Sequence, residues 1–172
     1  MATHVNSSWG RCHFDTWWGH EHRELNYLHE PFNDPATQRK WWALGFENQR
    51  FTGDLYDMRF IEPQFVAGFR DRVSLKHFSW SVYRMTPGTV LPGHGDTYGK
   101  FCEIYSVTDI DTIKRYVVFL EQWQSGHYFE IDGTPVTQWQ AGDAVWWTGA
   151  TPHIAANIGT ANRYTLQLTG VI

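Results

Sequence analysis

Cysteine is scarce in this chain. Cys12 and Cys102 are the only two, which excludes a disulfide framework and a Cys-rich zinc ribbon and makes a reducing, intracellular setting the simple reading. Long apolar runs are missing too. None approaches the length of about 20 residues that a membrane helix needs, so no membrane partner is expected. The opening stretch Met-Ala-Thr-His-Val-Asn-Ser-Ser-Trp has neither the basic start nor the apolar segment of a signal peptide. These absences predict a soluble, cytoplasmic protein. Positive charge is short as well: the formal net charge is −4, and Lys and Arg are scattered without a basic run. Nucleic acid, whose binding draws on clustered cations, is therefore not expected as a partner. There is no internal repeat and no low-complexity segment.

What the chain does have is aromatic mass, 17% of its residues with ten Trp. Its 172 residues suit one domain with a sizeable core, and bulky core packing accounts for most of the rings. Residues 1–77 predict helices and loops. Asp34-Pro35 ahead of Ala-Thr-Gln-Arg-Lys-Trp-Trp-Ala-Leu-Gly45 carries an N-cap, a first-turn proline and a closing glycine. Residues 62–73 predict a second helix with Phe65, Phe69 and Val73 on one stripe, and residues 23–28 a short third. From Phe78 the rhythm becomes short runs between turns: 78–86, 100–107, 114–122, 127–131, 136–139, 144–148, 153–157 and 163–169. Eight turn-linked strands predict a double-sheet jelly roll over 78–172, with the 1–77 segment packed on it in a single domain.

Three residues then stand out. His94-Gly95-Asp96 follows a strand and a Pro/Gly turn, and His153 opens another strand 57 residues after Asp96. Two histidines and a carboxylate on one side of an ion leave positions open, which suits non-haem Fe(II) that must also take co-substrate and oxygen. The short pattern alone decides little. Nine His and ten Asp yield roughly half a His-x-Asp per chain by composition, and His13-Phe14-Asp15 is another. Context separates them, because His94 and Asp96 follow a strand and a Pro/Gly turn at the mouth of the predicted sheet, and His153 begins a strand. Arg163 opens the strand after His153, across a Gly159–Asn162 turn. Period two puts Arg163, Thr165 and Gln167 on one face and Tyr164, Leu166 and Leu168 on the other. A buried arginine needs a partner, and a ligand carboxylate held bidentately, with the Thr165 hydroxyl beside it, would be one.

At these residues the chain resembles the Fe(II)/2-oxoglutarate-dependent dioxygenases. The resemblance covers about residues 78–170 and implies a mainly β fold, with a double-stranded β-helix (jelly-roll, cupin-like) core. It implies that His94, Asp96 and His153 hold Fe(II) and that Arg163 anchors 2-oxoglutarate. Tyr164-Thr165 then completes a variant of the family's Arg-x-Ser ending. Arg115 is the candidate for the other 2-oxoglutarate carboxylate. Leu-Pro-Gly-His-Gly-Asp (91–96), Lys-Arg-Tyr-Val-Val-Phe-Leu (114–120), Trp-Gln-Ala-Gly-Asp (139–143), His-Ile-Ala-Ala-Asn and Asn-Arg-Tyr-Thr-Leu are most similar to the aspartyl/asparaginyl β-hydroxylase branch. Asp96 departs from those members of the branch that lack the carboxylate. The implied reaction hydroxylates an unactivated C–H with O2, while 2-oxoglutarate becomes succinate and CO2. The implied substrate is a peptide, a protein or a small amino-acid-like molecule.

Other readings compete. A cupin-like dioxygenase or isomerase without 2-oxoglutarate would share the barrel and histidines, but would leave Arg163 without a ligand. A zinc hydrolase and a non-catalytic sugar- or peptide-binding jelly roll are further alternatives. Trp139, Trp146, Trp147 and Tyr128 are candidates for lining a substrate groove. His20-Glu21-His22 offers a separate metal pair, although solvated helix-start residues are the preferred reading there. Oligomeric state has no signature in the sequence.

Overall fold

Alternation of apolar and polar residues pairs most of the chain into two antiparallel sheets. The computed structural model describes residues 8–46 and 51–172, so residues 1–7 of the opening stretch lie outside the described residues. Eleven strands occur among those described: β1 Trp9–His13, β2 Leu28–Pro31, β3 Thr52–Asp57, β4 Lys76–Met85, β5 Thr89–His94, β6 Ile113–Phe119, β7 His127–Ile131, β8 Thr134–Val136, β9 Asp143–Thr148, β10 His153–Asn157 and β11 Arg163–Val171. The helices are α1 Pro35–Trp41, α2 Gln64–Arg70 and α3 Gly99–Tyr105. Seven strands form one sheet in the order β1-β9-β6-β11-β4-β3-β2, and four form the other as β5-β10-β7-β8. No helix among the described residues is long and apolar enough to cross a membrane.

The two sheets face each other across Tyr83, Met85, Val117, Phe119, Val145 and Trp147 on the larger and Phe129, Ile131, Val136 and Ala155 on the smaller. The outward face of the larger sheet is covered as well. Trp80, Val82, Val118, Leu166 and Leu168 pack under Phe65, Val66 and Phe69 of α2. Both faces of β11 are therefore buried, in keeping with its central place. Helix α1 has the cap that its sequence promises: Asp34 accepts from the N–H groups of Ala36 and Thr37 at 3.0 and 3.3 Å. Beyond Trp41 it loosens into one wider turn, and Gly45 closes it at φ 96°.

Four expectations need correction. Residues 1–77 are not helices and loops alone, since β1 adds a strand beside β9 and β3 and β2 add two beyond β4. The short third helix is a single tight turn at Glu21–Glu24, and Leu28 already begins β2. The expected strand 100–107 is helix α3. Its Phe, Ile and Tyr content suits a strand, but Phe101 and Tyr105 lie four apart and meet at 4.8 Å between ring centroids, the spacing of one helix face. Left-handed Tyr98 and Ser106 bound it. The 136–139 run is paired only as Thr134–Val136, with Trp139 stacked beyond it on Phe119.

Candidate metal centre

Antiparallel register places the last residue of β5 opposite the first of β10, so His94 and His153 are direct partners across the ladder. Their ring centroids are 4.3 Å apart. Strand β5 is an edge strand, which tolerates Pro92, and the Pro92 carbonyl then accepts from His94 Nδ1 at 2.8 Å. The Thr151 carbonyl accepts from His153 Nδ1 at 3.1 Å. Each carbonyl fixes the proton on Nδ1 and leaves the Nε2 lone pair for a ligand, the usual outer support of a metal-bound imidazole. Burial holds both rings neutral: it lowers His94 to about 4, with His153 adding to the effect, and it lowers His153 too.

Asp96 lies beyond the end of β5, so it reaches the histidines by a bend rather than by strand alternation. Gly95 makes the bend possible, because a Cβ there would run into the Ala150 carbonyl oxygen. Asp96 Oδ2 lies 3.9 Å from His153 Nε2 and 2.9 Å from Arg115 Nη1. Burial pushes its pKa up, but Arg115, His153 and His94 outweigh that and keep it below the ordinary carboxylate value. The oxygen is buried and makes no aligned hydrogen bond. One donor atom from each of His94, Asp96 and His153 lies within 4.8 Å of the others. Two ligand bonds of about 2.1 Å bridge at most about 4.2 Å, so small side-chain rotations close the set around one ion. Tautomers set for Nε2 ligation and an ionised oxygen with no aligned partner fit a divalent ion.

Aromatic walls hold the histidines. Phe32 and Trp41 stand edge-on to His94, at 5.3 and 5.2 Å between centroids, and Trp41 Nε1 donates to the Gly93 carbonyl at 3.1 Å. Trp147 packs on His153 at 4.7 Å. Sequence reasoning missed Phe32 and Trp41, since nothing in a helix pattern signals a partner 52 residues away. Three of the four rings named as groove or core candidates are placed by their packing. Trp139 and Trp147 belong to the core, and Trp146 lies under Lys114 on the opposite face, 3.9 Å from Nζ.

Arg163 opens β11 on the inward face and is 3% exposed. Its Nη1 donates to the Tyr128 carbonyl at 2.5 Å and to that of Ala156 at 3.5 Å. Its Nε is buried without a partner, and no carboxylate among the described residues forms an ion pair with it. Burial lowers its pKa to about 10, so it stays charged at neutral pH. Ala156 is three residues along β10 from His153, about 10 Å at the rise of a strand. Thr165 is buried on the same face, in register between Tyr83 and Phe119. Arg115 lies near the metal cluster instead, with Nε donating to Thr169 Oγ1 at 3.1 Å and its head group on Asp96. The rival His13 stays apart from this centre, tied to Asp143.

The same two-sheet arrangement occurs in solved structures. A prolyl-4-hydroxylase from Pseudomonas putida is 18% identical, over 96% of this chain and 93% of its own, with a TM-score of 0.54. The fold is a double-stranded β-helix. A non-haem alpha-ketoglutarate-dependent carbocyclase, SnoK from nogalamycin biosynthesis, superposes with a TM-score of 0.54 at 13% identity, over 87% of this chain and 81% of its own. No family model and no curated protein matches the sequence. Within the double-stranded β-helix, His94, Asp96 and His153 gather at one end of the space between the sheets. Arg163 enters that space from the other end.

Proposed function

We propose that this double-stranded β-helix is an Fe(II)- and 2-oxoglutarate-dependent oxygenase that hydroxylates an unactivated C–H bond of a peptidyl or amino-acid-like substrate. The observation that carries the reading is Arg163, a buried cation with an unpartnered Nε and no acidic partner among the described residues, set about 10 Å along β10 from a His-Asp-His cluster. A charge so placed costs several kcal/mol unless it is paired. A dicarboxylate reaching from the ion to the guanidinium supplies the pair. Bound Fe(II) would supply the activation of O2, with 2-oxoglutarate oxidised to succinate and CO2 as one oxygen atom enters the C–H bond.

This chain's residues have the remaining tasks. His94, Asp96 and His153 would hold the ion and leave its other positions open. Arg163 would fix one carboxylate, with the Thr165 hydroxyl beside it, and Arg115 would hold Asp96 and stand within reach of the other carboxylate. Phe32, Trp41 and Trp147 exclude water from the histidines, which strengthens each polar contact there. The test is an anaerobic visible spectrum on adding Fe(II) and then 2-oxoglutarate. The expected result is a charge-transfer band that needs both, is lost in His153→Ala and weakens in Arg163→Ala. A folded protein that binds Fe(II) and gives no band would exclude 2-oxoglutarate and leave a cupin-like metalloenzyme as the reading.

A further inference from the structure

A second group of metal-ligating side chains lies away from this centre, and its surroundings do not suit the solvated residues that the sequence suggests. His22 is 0% exposed. Its ring is held between Tyr164, at 5.1 Å between centroids, and Phe65, at 6.4 Å, while Tyr27 Oη donates to its carbonyl at 2.7 Å. Nε2 faces Glu121 Oε1 at 2.7 Å, and Nδ1 is buried without a partner among the described residues. All polar stabilisation of this ring therefore comes from the side facing Glu121. Glu121 is fixed just as firmly. Trp18 Nε1 donates to the Leu120 carbonyl at 3.0 Å and Trp139 Nε1 to that of Glu121 at 3.1 Å, so two indoles pin the backbone around it. His20 completes the group from the solvent side, and one donor atom of each of the three lies within 4.8 Å of the others.

We propose that His20, His22 and Glu121 form a second site for a divalent transition-metal ion of borderline softness, Zn2+ first among them. Two imidazoles and one carboxylate are the ligands of such ions. Two of the three are already immobilised by their packing, so little ordering remains to be done on binding. A cleft of about 370 Å3 lined by Thr16, Trp18, His20, Arg23, Glu121 and Gln122 gives the ion its way in and room for a water as fourth ligand. Arg23 Nε stands 2.5 Å from Glu121 Oε1 and supplies the positive charge that this carboxylate needs. Its side chain is 44% exposed, so it can turn to water. The ion then takes the place of Arg23 at Glu121 and of the proton at His22 Nε2, the neutral imidazole keeping its one proton on Nδ1. The site would clip the segment at residues 20–22 to the chain just after β6.

The test uses the full chain, freed of metal by chelation and dialysed against micromolar zinc salt, with bound zinc counted by elemental analysis. An Asp96→Ala/His153→Ala background, which leaves a single ligand there, removes the first centre from the count. In that background we expect one equivalent of zinc and a zinc-dependent rise in melting temperature. Adding His20→Ala should abolish both, and His20→Cys, which supplies another zinc ligand, should restore them. His20 is exposed, so its replacement leaves the metal-free melting temperature unchanged. Cobalt(II) in place of zinc should give the intense visible bands of a four-coordinate ion, again dependent on His20. Equal zinc content and equal melting shift with and without His20 would overturn the proposal. That outcome would leave His22, Glu121 and Arg23 as an ion-pair cluster, and it would say nothing of the first centre.

Discussion

A buried arginine without a carboxylate is unusual because its desolvation goes uncompensated. Arg163 has two carbonyl contacts through one nitrogen and an unpartnered Nε. Its removal should therefore act differently on folding and on binding. Arg163→Met keeps most of the apolar volume and leaves no orphaned acid behind, so the metal-free protein should melt at the same temperature or higher. Truncating one partner of a buried charge pair costs about 2–5 kcal/mol, so 2-oxoglutarate should bind about 30-fold more weakly or worse, and its stabilising shift in a melting scan should vanish. A variant that melts well below the parent yet keeps that shift would assign Arg163 a structural role. Glu121 carries part of the pH dependence. Burial raises its pKa, but His22 and Arg23 outweigh that and hold it at about 2. A carboxyl lowered in the folded state stabilises the fold above its unfolded pKa, about 4.3, and the benefit is lost as pH falls toward 2. In metal-free protein, Glu121→Gln should flatten the fall in stability between about pH 4.5 and pH 2, measured by urea titration at each pH. An unchanged slope would show that Glu121 takes up its proton alike in the folded and unfolded chains, and that its two neighbours do not hold its pKa down.

At the scale of elements, the β5–β10 pair fixes the histidines and Gly95 fixes the carboxylate. Gly95→Ala should leave most of the fold intact, since the clash is with one carbonyl, but it must push Asp96 away from His153. Metal affinity should drop by 10-fold or more, about 1.4 kcal/mol, in a competition assay with a coloured chelator. Affinity equal to the parent's would mean that Asp96 is not held by this bend. The pair also shows what a sequence makes legible and what it does not: β5 was not readable, since its Pro92-Gly93 reads as a turn. β7 and β10 were readable to the residue, because alternate positions such as His127, Phe129 and Ile131 face one core. The residue types of the centre were readable from chemistry, and so was an inward face for Arg163 and Thr165. The bend at Gly95 was not, since the carbonyl that demands a glycine belongs to Ala150. Nor were β1 to β3, whose partners lie far along the chain and whose short runs are broken by Gly, Pro and clustered rings. Helix α3 was misread because composition was weighed above the four-residue spacing of Phe101 and Tyr105.

For the whole molecule, the decisive matter is whether residues 78–172 can stand without what precedes them. The register argues that they cannot. β1 covers the edge of β9 from Trp9 opposite Trp147 to His13 opposite Asp143, and β3 covers β4 from Asp54 opposite Arg84 to Asp57 opposite Ser81. Removing residues 1–77 bares both edges of the larger sheet, and bare edges pair with other chains. It also strips α2 from Trp80, Val82, Leu166 and Leu168. Phe65, Val66 and Phe69 alone bury about 1.5–3 kcal/mol each, roughly 5–9 kcal/mol together. That sum is comparable with the ~5–15 kcal/mol that keeps a domain folded. The metal centre would suffer as well, because Trp41 and Phe32, which hold His94 and Gly93, come from the deleted part. Expressed alone, residues 78–172 should aggregate or lack a cooperative urea transition, whereas the full chain should unfold in one step. A soluble fragment with a sharp transition and intact metal affinity would show the opposite: a self-sufficient β-helix to which the first 77 residues merely add strands.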